Sequence, residues 1–486
     1  VIVALKTNRP EYRNDIAEEI RLFLGPAEIV EAAEGASYIF TVTLETRDDR
    51  FFARAAALNG PCATAETAVE GTDRLERKRQ EKRALKIAAF RLLRMLFPLV
   101  AVPWGSLTGI RPTKLLRELA RSHGEAEARR QLAEIFDVTA EKVMLAAEIY
   151  RVQQPFLASA DAQRDLDVYI GIPFCRTRCL YCSFASEVIG KGEKLVPYLQ
   201  VLREDIADGA HLMRTAGLRA RALYIGGGTP TVLSAAQLDD LLALALDCYG
   251  GFSEITVEAG RPDTITPEKL AVLRAHGVGR ISINPQTMND ETLRRIGRGH
   301  DAADVERCFA AAREVGFAAI NMDLIAGLPG EDAAAFSQTL RRIAAMRPEN
   351  LTVHTLALKR ASRLMQERGE WVLPDADVTG AMLSAGATAA RSLGMRPYYM
   401  YRQKYMSGNL ENTGYALPGM ECAYNIDMME ETISILAHGA CGMSKRVFDA
   451  ENRVERIPNP KDIATYCQKL PELLERKRRL FCGRSN

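Results

Sequence analysis

The chain has 486 residues, 47% hydrophobic and 26% charged, with a formal net charge of +2. At about 150 residues per domain it is too long for one unit, and it has apolar residues enough to bury cores without disulfide staples. The small charge gives no electrostatic footprint for nucleic acid, so no nucleic-acid partner is expected, and no apolar run reaches the roughly eighteen residues of a membrane span.

The chain opens on Val1 rather than Met, which suggests a processed or trimmed start. Val1–Leu5 is apolar, but Lys6, Arg9 and Glu11 follow at once, so it reads as a strand and not as a secretory signal. The expected compartment is the cytoplasm. Tyr12–Leu24 has helical spacing and is stopped by Gly25 and Pro26, and Ser37–Glu45 alternates around Tyr38, Phe40 and Val42 as a strand does. Thr72–Phe97 reads as a long helix ending at Pro98, with a charged first half whose natural reading is a solvated face. Residues 1–165 are thus an N-terminal α+β and helical region, with a small polar linker at Leu157–Arg164.

From residue 166 the style changes. Short β-type runs at Leu166–Ile172, Ala222–Ile225, Glu254–Glu258, Arg280–Ile283, Ala319–Ile325 and Leu351–Leu358 alternate with helical patterns. Six βα units in succession predict a parallel sheet with right-handed crossovers. They are too few to close an eight-stranded barrel, so the α/β region 166–365 is expected to be a partial, open (βα)6 barrel. Residues 366–486 break the alternation, are rich in Met, Tyr and Gly, and are expected to form a smaller C-terminal α+β domain or lid.

Of ten cysteines, seven are scattered (Cys62, Cys248, Cys308, Cys422, Cys441, Cys467 and Cys482) and read as free thiols. The other three, Cys175, Cys179 and Cys182, form C-x3-C-x2-C just after the first strand of the βα array. Active sites of parallel sheets lie at the carboxyl ends of strands, and a tight loop there can wrap three soft sulfur ligands around one inorganic cluster. A closed zinc site wants four ligands, and Gly171 and Phe184 occupy the nearby positions where a fourth would fall. A cubane on three cysteines keeps one iron free for a small molecule. The competing readings are three unpaired thiols, or a zinc knuckle completed from far away.

The segment Tyr169-Ile-Gly-Ile-Pro-Phe-Cys175-Arg-Thr-Arg-Cys179-Leu-Tyr-Cys182 resembles the radical S-adenosylmethionine (SAM) signature. Together with Gly226–Pro230, Arg280–Gln286 and Asn321–Pro329 it resembles, more narrowly, the oxygen-independent coproporphyrinogen III oxidase (dehydrogenase) family. With Leu107–Lys114 in the N-terminal region, the whole pattern is most similar to the coproporphyrinogen dehydrogenase-like branch of anaerobic bacteria. The resemblance implies a radical-SAM barrel with a 4Fe-4S cluster on Cys175, Cys179 and Cys182, whose open iron binds SAM and whose electron cleaves it to a 5′-deoxyadenosyl radical. It places Tyr169, Gly227 and Glu258 around that SAM. It places Tyr181, Gly228, Thr229, Gln286, Arg298, Asp323 and Ala357 around a second SAM.

Each of these residues also has a reading of its own. Gly226–Gly228 follows a strand, so its backbone can approach a ligand and offer N–H groups, or it is only a tight turn. Glu258 ends a strand and can accept ribose hydroxyls, or it is a surface carboxylate. Asp323 lies in an apolar strand and needs a partner, with Arg298 or a ligand hydroxyl as candidates, or it is one half of a buried ion pair. In the third region Glu421–Asn425 and Gly439–Ala440 resemble the family's substrate side, while His438 and Cys441 face a macrocycle or belong to the core, the latter being favoured.

The expected function is a radical SAM reaction on a tetrapyrrole: oxidative decarboxylation of coproporphyrinogen III propionates to the vinyls of protoporphyrinogen IX, in anaerobic haem biosynthesis. Arg111, Lys114, Arg402 and Lys404 are candidate cations for the propionates. The alternatives are methyl transfer or ring opening on haem, and a haem-binding chaperone that keeps the cluster. Three departures bear on the choice: Phe184 stands where family oxidases often carry a fourth cysteine, Gly171 where a His is often found, and Ala437–Ser444 is an altered glycine-rich segment. The implied partners are a tetrapyrrole and a flavodoxin- or ferredoxin-type electron donor, and the chain is expected to be a monomer.

Overall fold

The computed structural model describes residues 1–69, 74–109, 111–404 and 406–483. Contacts divide the chain into two compact units, Val1–Ala147 with Gly408–Leu410, and Glu148–Ser407 with Glu411–Asn486.

The first unit holds β1 (Ile2–Thr7), α1 (Arg13–Leu24), β2 (Glu28–Val30), β3 (Tyr38–Arg47), β4 (Arg50–Ala57) and β5 (Cys62–Ala68). Helices α2 (Arg74–Leu96), α3 (Pro112–His123) and α4 (Glu125–Glu134) follow, and α5 (Ala140–Ser159) runs across the division between the units. The strand expected at the start, the helix up to Leu24 and the strand around Phe40 are all present. Thr72 and Asp73 of the expected long helix, and Ile110 of the Leu107–Lys114 segment, lie outside the described residues. The sheet runs β2-β1-β3-β4-β5. Phe40, Val42 and Leu44 of β3 are buried at every second position, and Ala84, Leu85, Ala88 and Leu92 bury one side of α2 at helical spacing.

The second unit opens with β6 (Asp165–Ile172), the short pair β7 (Phe174–Cys175) and β8 (Glu187–Val188), and α6 (Leu195–Thr215). The alternation continues through β9 (Arg219–Gly227), α7 (Ala235–Tyr249), β10 (Glu254–Gly260), α8 (Pro267–Ala275) and β11 (Arg280–Ile283). It then runs through α9 (Asp290–Arg295), α10 (Ala302–Val315), β12 (Ala319–Ala326), α11 (Ala333–Met346) and β13 (Asn350–Thr355). Next come α12 (Arg363–Gln366), α13 (Ala376–Ser392), β14 (Arg396–Tyr401), β15 (Asn412–Ala416), α14 (Ala423–Glu430) and β16 (Ser434–His438). β17 (Met443–Phe448), β18 (Arg453–Pro458), α15 (Ile463–Gln468) and α16 (Leu470–Cys482) complete it.

All six expected strands pair in parallel, in the order β6-β9-β10-β11-β12-β13. The sheet does not close on itself, so the partial (βα)6 barrel is what forms. Residues 366–486 supply five strands to this same sheet: β15 and β14 extend one end antiparallel, while β16 pairs in parallel with β6 and leads to β17 and β18. Helix starts follow local rules; Ser234 with Gln237, and Asp301 with Asp304, form capping boxes for α7 and α10.

Parallel strands are usually apolar on both faces, and these are not. Leu166, Val168, Ile170, Leu223, Ile225, Val257, Ile281, Ile320, Met322, Leu324, Leu351 and Val353 are buried in the core that holds the helices. The alternate positions, Tyr169, Tyr224, Thr256, Glu258, Ser282, Asn321, Asp323, Thr352 and His354, line a cavity instead. Among the described residues no helix is long and apolar enough to cross a membrane.

Candidate active site

The cavity measures about 510 Å³ and lies where the parallel strands end. All thirteen anticipated residues line it: Cys175, Cys179, Cys182, Tyr169, Tyr181, Gly227, Gly228, Thr229, Glu258, Gln286, Arg298, Asp323 and Ala357.

The cysteine loop is tied down at several points. Cys175 ends β7, and Ile189 N–H donates to its carbonyl at 2.9 Å. Cys182 N–H donates to Cys179 O at 3.1 Å, and Leu180 N–H to Ile296 O at 2.9 Å. Thr229 Oγ1 lies 3.6 Å from Cys175 Sγ, and Cys179 is buried while the other two sulfurs are partly accessible. Burial pushes the Cys182 thiol up to about 11, opposed by the Phe184 N–H. Phe184 itself is 70% exposed at the rim of the cavity.

The donor set fits an iron–sulfur cubane. Among the described residues no three His, Cys, Asp or Glu side chains converge as they would on one metal ion. A cubane does not ask for that, because each of its thiolates takes a different iron.

The glycine run is required by its close packing, in line with the tight-turn reading. Gly228 N–H donates to Ile172 O and Thr229 N–H to Phe174 O, both at 2.8 Å, so these groups dock the loop on its neighbour and are not offered to a ligand. A Cβ on Gly228 would lie 2.4 Å from Phe174 O, and one on Gly226 would lie 2.9 Å from the Glu258 carboxyl. Gly227 adopts φ +108°, a conformation suited to glycine.

Glu258 is half-buried and accepts a hydrogen bond from Tyr224 OH at 2.6 Å. Burial raises its carboxyl to about 7; Tyr224 opposes the rise and the neighbouring Asp323 adds to it. The rings of Tyr169, Tyr424 and Tyr224 stack with planes within 21° of one another.

Asp323 does not pair with Arg298. Its partners are Asn321 Nδ2 at 2.8 Å and His354 Nε2 at 3.7 Å. Burial works against its charge, yet His354, with Asn321 and Thr352 beside it, holds the carboxyl below its ordinary range. Arg298 donates to Tyr181 OH at 3.1 Å and to Asn284 O. Burial opposes its charge too, but Tyr181 and Cys179 beside it outweigh that, so it stays a cation. Gln286, at φ 70°, bridges to Leu324, and Ala357 bridges to Met406.

His438 belongs to the core: its Nδ1 lies 3.0 Å from Asp205, Tyr249 OH lies 2.6 Å from its Nε2, and its surface is fully buried. Cys441 is different; it is exposed and lines the cavity, its Sγ 3.4 Å from Ala185 O. Two of the sequence departures touch each other. A Cβ on Gly171 would lie 3.1 Å from Ala440 O, and one on Gly439 would lie 2.5 Å from Gly171 O.

Of the cations anticipated for carboxylates, Arg402 is buried and neither it nor Lys404 lines the cavity, while Arg111 and Lys114 belong to the first unit. Arg178, Arg261, Arg280 and Lys359 line it instead, together with Tyr398, Tyr399, Tyr401 and His354. Strand alternation is the signal that could have found Thr256 from Glu258, and Thr352 and then His354 from the strand paired with Asp323.

The fold and its three-cysteine loop define a radical SAM protein: the Radical SAM superfamily model matches residues 169–343. The oxygen-independent coproporphyrinogen-III oxidase-like protein HemZ of Bacillus subtilis (strain 168) is 39% identical over 383 residues, 77% of this chain and 76% of that protein. The heme chaperone HemW of the same organism is 31% identical over 263 residues, 53% of this chain and 65% of its own. The solved structure of coproporphyrinogen III oxidase from Escherichia coli, described as a radical SAM enzyme, superposes with a TM-score of 0.53 at 27% identity, over 66% of this chain and 72% of that one. The chain belongs to the oxygen-independent coproporphyrinogen-III oxidase-like family. The cofactors of radical SAM proteins are a 4Fe-4S cluster and SAM.

Proposed function

We propose that this chain is a radical SAM enzyme acting on a tetrapyrrole, and that it converts propionate side chains of coproporphyrinogen III to vinyl groups by oxidative decarboxylation. The observation that carries the reading is the meeting of all thirteen anticipated residues in one cavity at the strand ends. Bound there, a cluster and SAM would supply a radical able to remove hydrogen from the β-carbon of a propionate, with loss of carbon dioxide and transfer of one electron to an external acceptor.

The protein's task is placement and shelter. Cys175, Cys179 and Cys182 hold the cluster. Tyr169, Gly227 and Glu258 hold the SAM on it, Glu258 taking the ribose hydroxyls. Tyr181, Gly228, Thr229, Gln286, Arg298, Asp323 and Ala357 surround a second SAM. Tyr398, Tyr399 and Tyr401 give the cavity an aromatic wall suited to a flat macrocycle, and Arg178 and Lys359 suit its carboxylates. A flavodoxin- or ferredoxin-type protein in the cytoplasm supplies the electron.

Two observations favour a second reading. Phe184 replaces a fourth cysteine at the rim, and a relative named a heme chaperone is 31% identical. Anaerobic incubation with coproporphyrinogen III, SAM, a reductant and an electron acceptor, read by mass, separates the two. Product lacking two carboxyl groups supports the oxidase. A gained methyl group points to methyl transfer. Stoichiometric haem binding, with no substrate-dependent 5′-deoxyadenosine, replaces the oxidase by a chaperone.

A further inference from the structure

Gly260 ends β10 at φ +69° and turns the chain toward the cysteine loop. Arg261 follows, and both the N–H and the hydroxyl of Thr264 donate to its carbonyl, at 3.0 and 2.8 Å. Its side chain is only 4% exposed. Nε and Nη2 form a fork onto the two oxygens of Asp263, each at 2.9 Å. That leaves Nη1 for the loop, where it donates to Thr177 Oγ1 at 2.6 Å and Thr177 O at 3.2 Å, and lies 4.0 Å from Cys179 Sγ. Thr177 in turn donates to Gly297 O at 3.0 Å. Arg176 donates to Asp263 O at 2.7 Å, and His300 Nδ1 lies 3.9 Å from Asp263 Oδ1.

We infer that Arg261 is a positioning residue for the cluster: it pins the cysteine loop through Thr177 and holds a buried positive charge against the Cys179 sulfur, favouring the reduced cluster. The inference rests on the cluster reading of the three cysteines. Reduction adds one electron, taken from a low-potential one-electron donor, and makes or breaks no bond. It adds a negative charge to a centre already held by three thiolates, and a nearby cation screened by little water favours the more negative state. Asp263 orients the fork and brings the opposite charge, so the two side chains push the cluster in opposite directions. Partners beyond the ligands commonly tune a metal centre in this way. A purely structural tie would not produce effects of opposite sign.

The test uses the full chain, reconstituted anaerobically, with the cluster titrated against redox potential and read by electron paramagnetic resonance in the absence of SAM. In Arg261→Gln the ratio of reduced to oxidised cluster at a fixed potential falls about tenfold, equivalent to ~59 mV for a one-electron couple. In Asp263→Asn the ratio rises. In Arg261→Lys, which keeps the charge, it stays within about twofold of the parent. An unshifted ratio in Arg261→Gln at parental iron and sulfide content overturns the inference, as does a fall in Asp263→Asn. Should Arg261→Gln hold no cluster, Asp263→Asn decides alone: a rise supports the inference, and no change or a fall overturns it. Failure of the parent chain to take up iron and sulfide would instead remove the cluster reading itself.

Discussion

Tyr224 of β9 donates a hydrogen bond to Glu258 of β10, with phenol and carboxylate oxygens 2.6 Å apart. Burial still wins over that bond and raises the carboxyl from 4.5 to about 7. The folded protein therefore binds this proton more tightly than the unfolded chain does. Stability falls as pH rises from about 4.5 to about 7, and above that the cost stays constant. Ligand-free Glu258→Gln should melt like the parent at pH 4 and be more stable at pH 8, by on the order of 1–3 kcal/mol. Parallel melting profiles across this range would refute the argument.

Cys179→Ala should abolish the cluster. After anaerobic reconstitution the variant should lose nearly all bound iron and sulfide, and reductive cleavage of SAM should stop. Cys248→Ala, which removes a thiol on α7 outside the cavity, should retain both. Equal iron content in the two variants would contradict the assignment.

Gly228→Ala would press a methyl group against the Phe174 carbonyl, 2.4 Å from the new carbon, and backbone cannot step aside as a side chain can. A loss of about 3 kcal/mol is expected in denaturant melts, with weaker cluster retention. Gly251→Ala meets nothing within 4 Å and should stay within about 0.5 kcal/mol of the parent.

Lys477 of α16 is buried with its Nζ 2.7 Å from Asp205 Oδ1 and 2.7 Å from Ala437 O. Asp205 also takes the Gly439 N–H at 3.1 Å and Tyr466 OH at 2.7 Å, so one carboxylate holds the segment that enters the cavity at Ala440. Lys477→Met leaves that charge buried without its cation and should cost about 3–5 kcal/mol. Adding Asp205→Asn should recover part of the loss, because the two sites are coupled. Additive losses in the double variant would show that the pair does not act as a unit.

The six parallel strands and the cysteine loop were legible because each is a local pattern. A β-type run with a helix after it, and three cysteines at fixed spacing, need no knowledge of distant residues. The five strands after residue 366 were read as belonging to a separate domain, since their place depends on pairing: Ser434 lies beside Leu166, 268 positions earlier, and nothing local announces that register. Arg261 was invisible for a related reason. It is an ordinary arginine after a strand until the turn at Gly260 carries it to Thr177. The glycine run was recognised, with its N–H groups left between a ligand and a tight turn; that Ile172 accepts the one on Gly228, and Phe174 the next one on Thr229, depends on the path of the neighbouring segment.

The pairing of β16 with β6 has a bearing on biogenesis. The strand that carries the cysteine loop is flanked on one side by β9 and on the other by a strand from far along the sequence. Until residue 438 has emerged, that flank of β6 presents open backbone groups, and the Gly439–Cys441 rim does not exist. Iron and sulfide delivered to a growing chain would meet a half-walled, wet site. The wall around the cysteine loop is therefore complete only once β16 has joined β6.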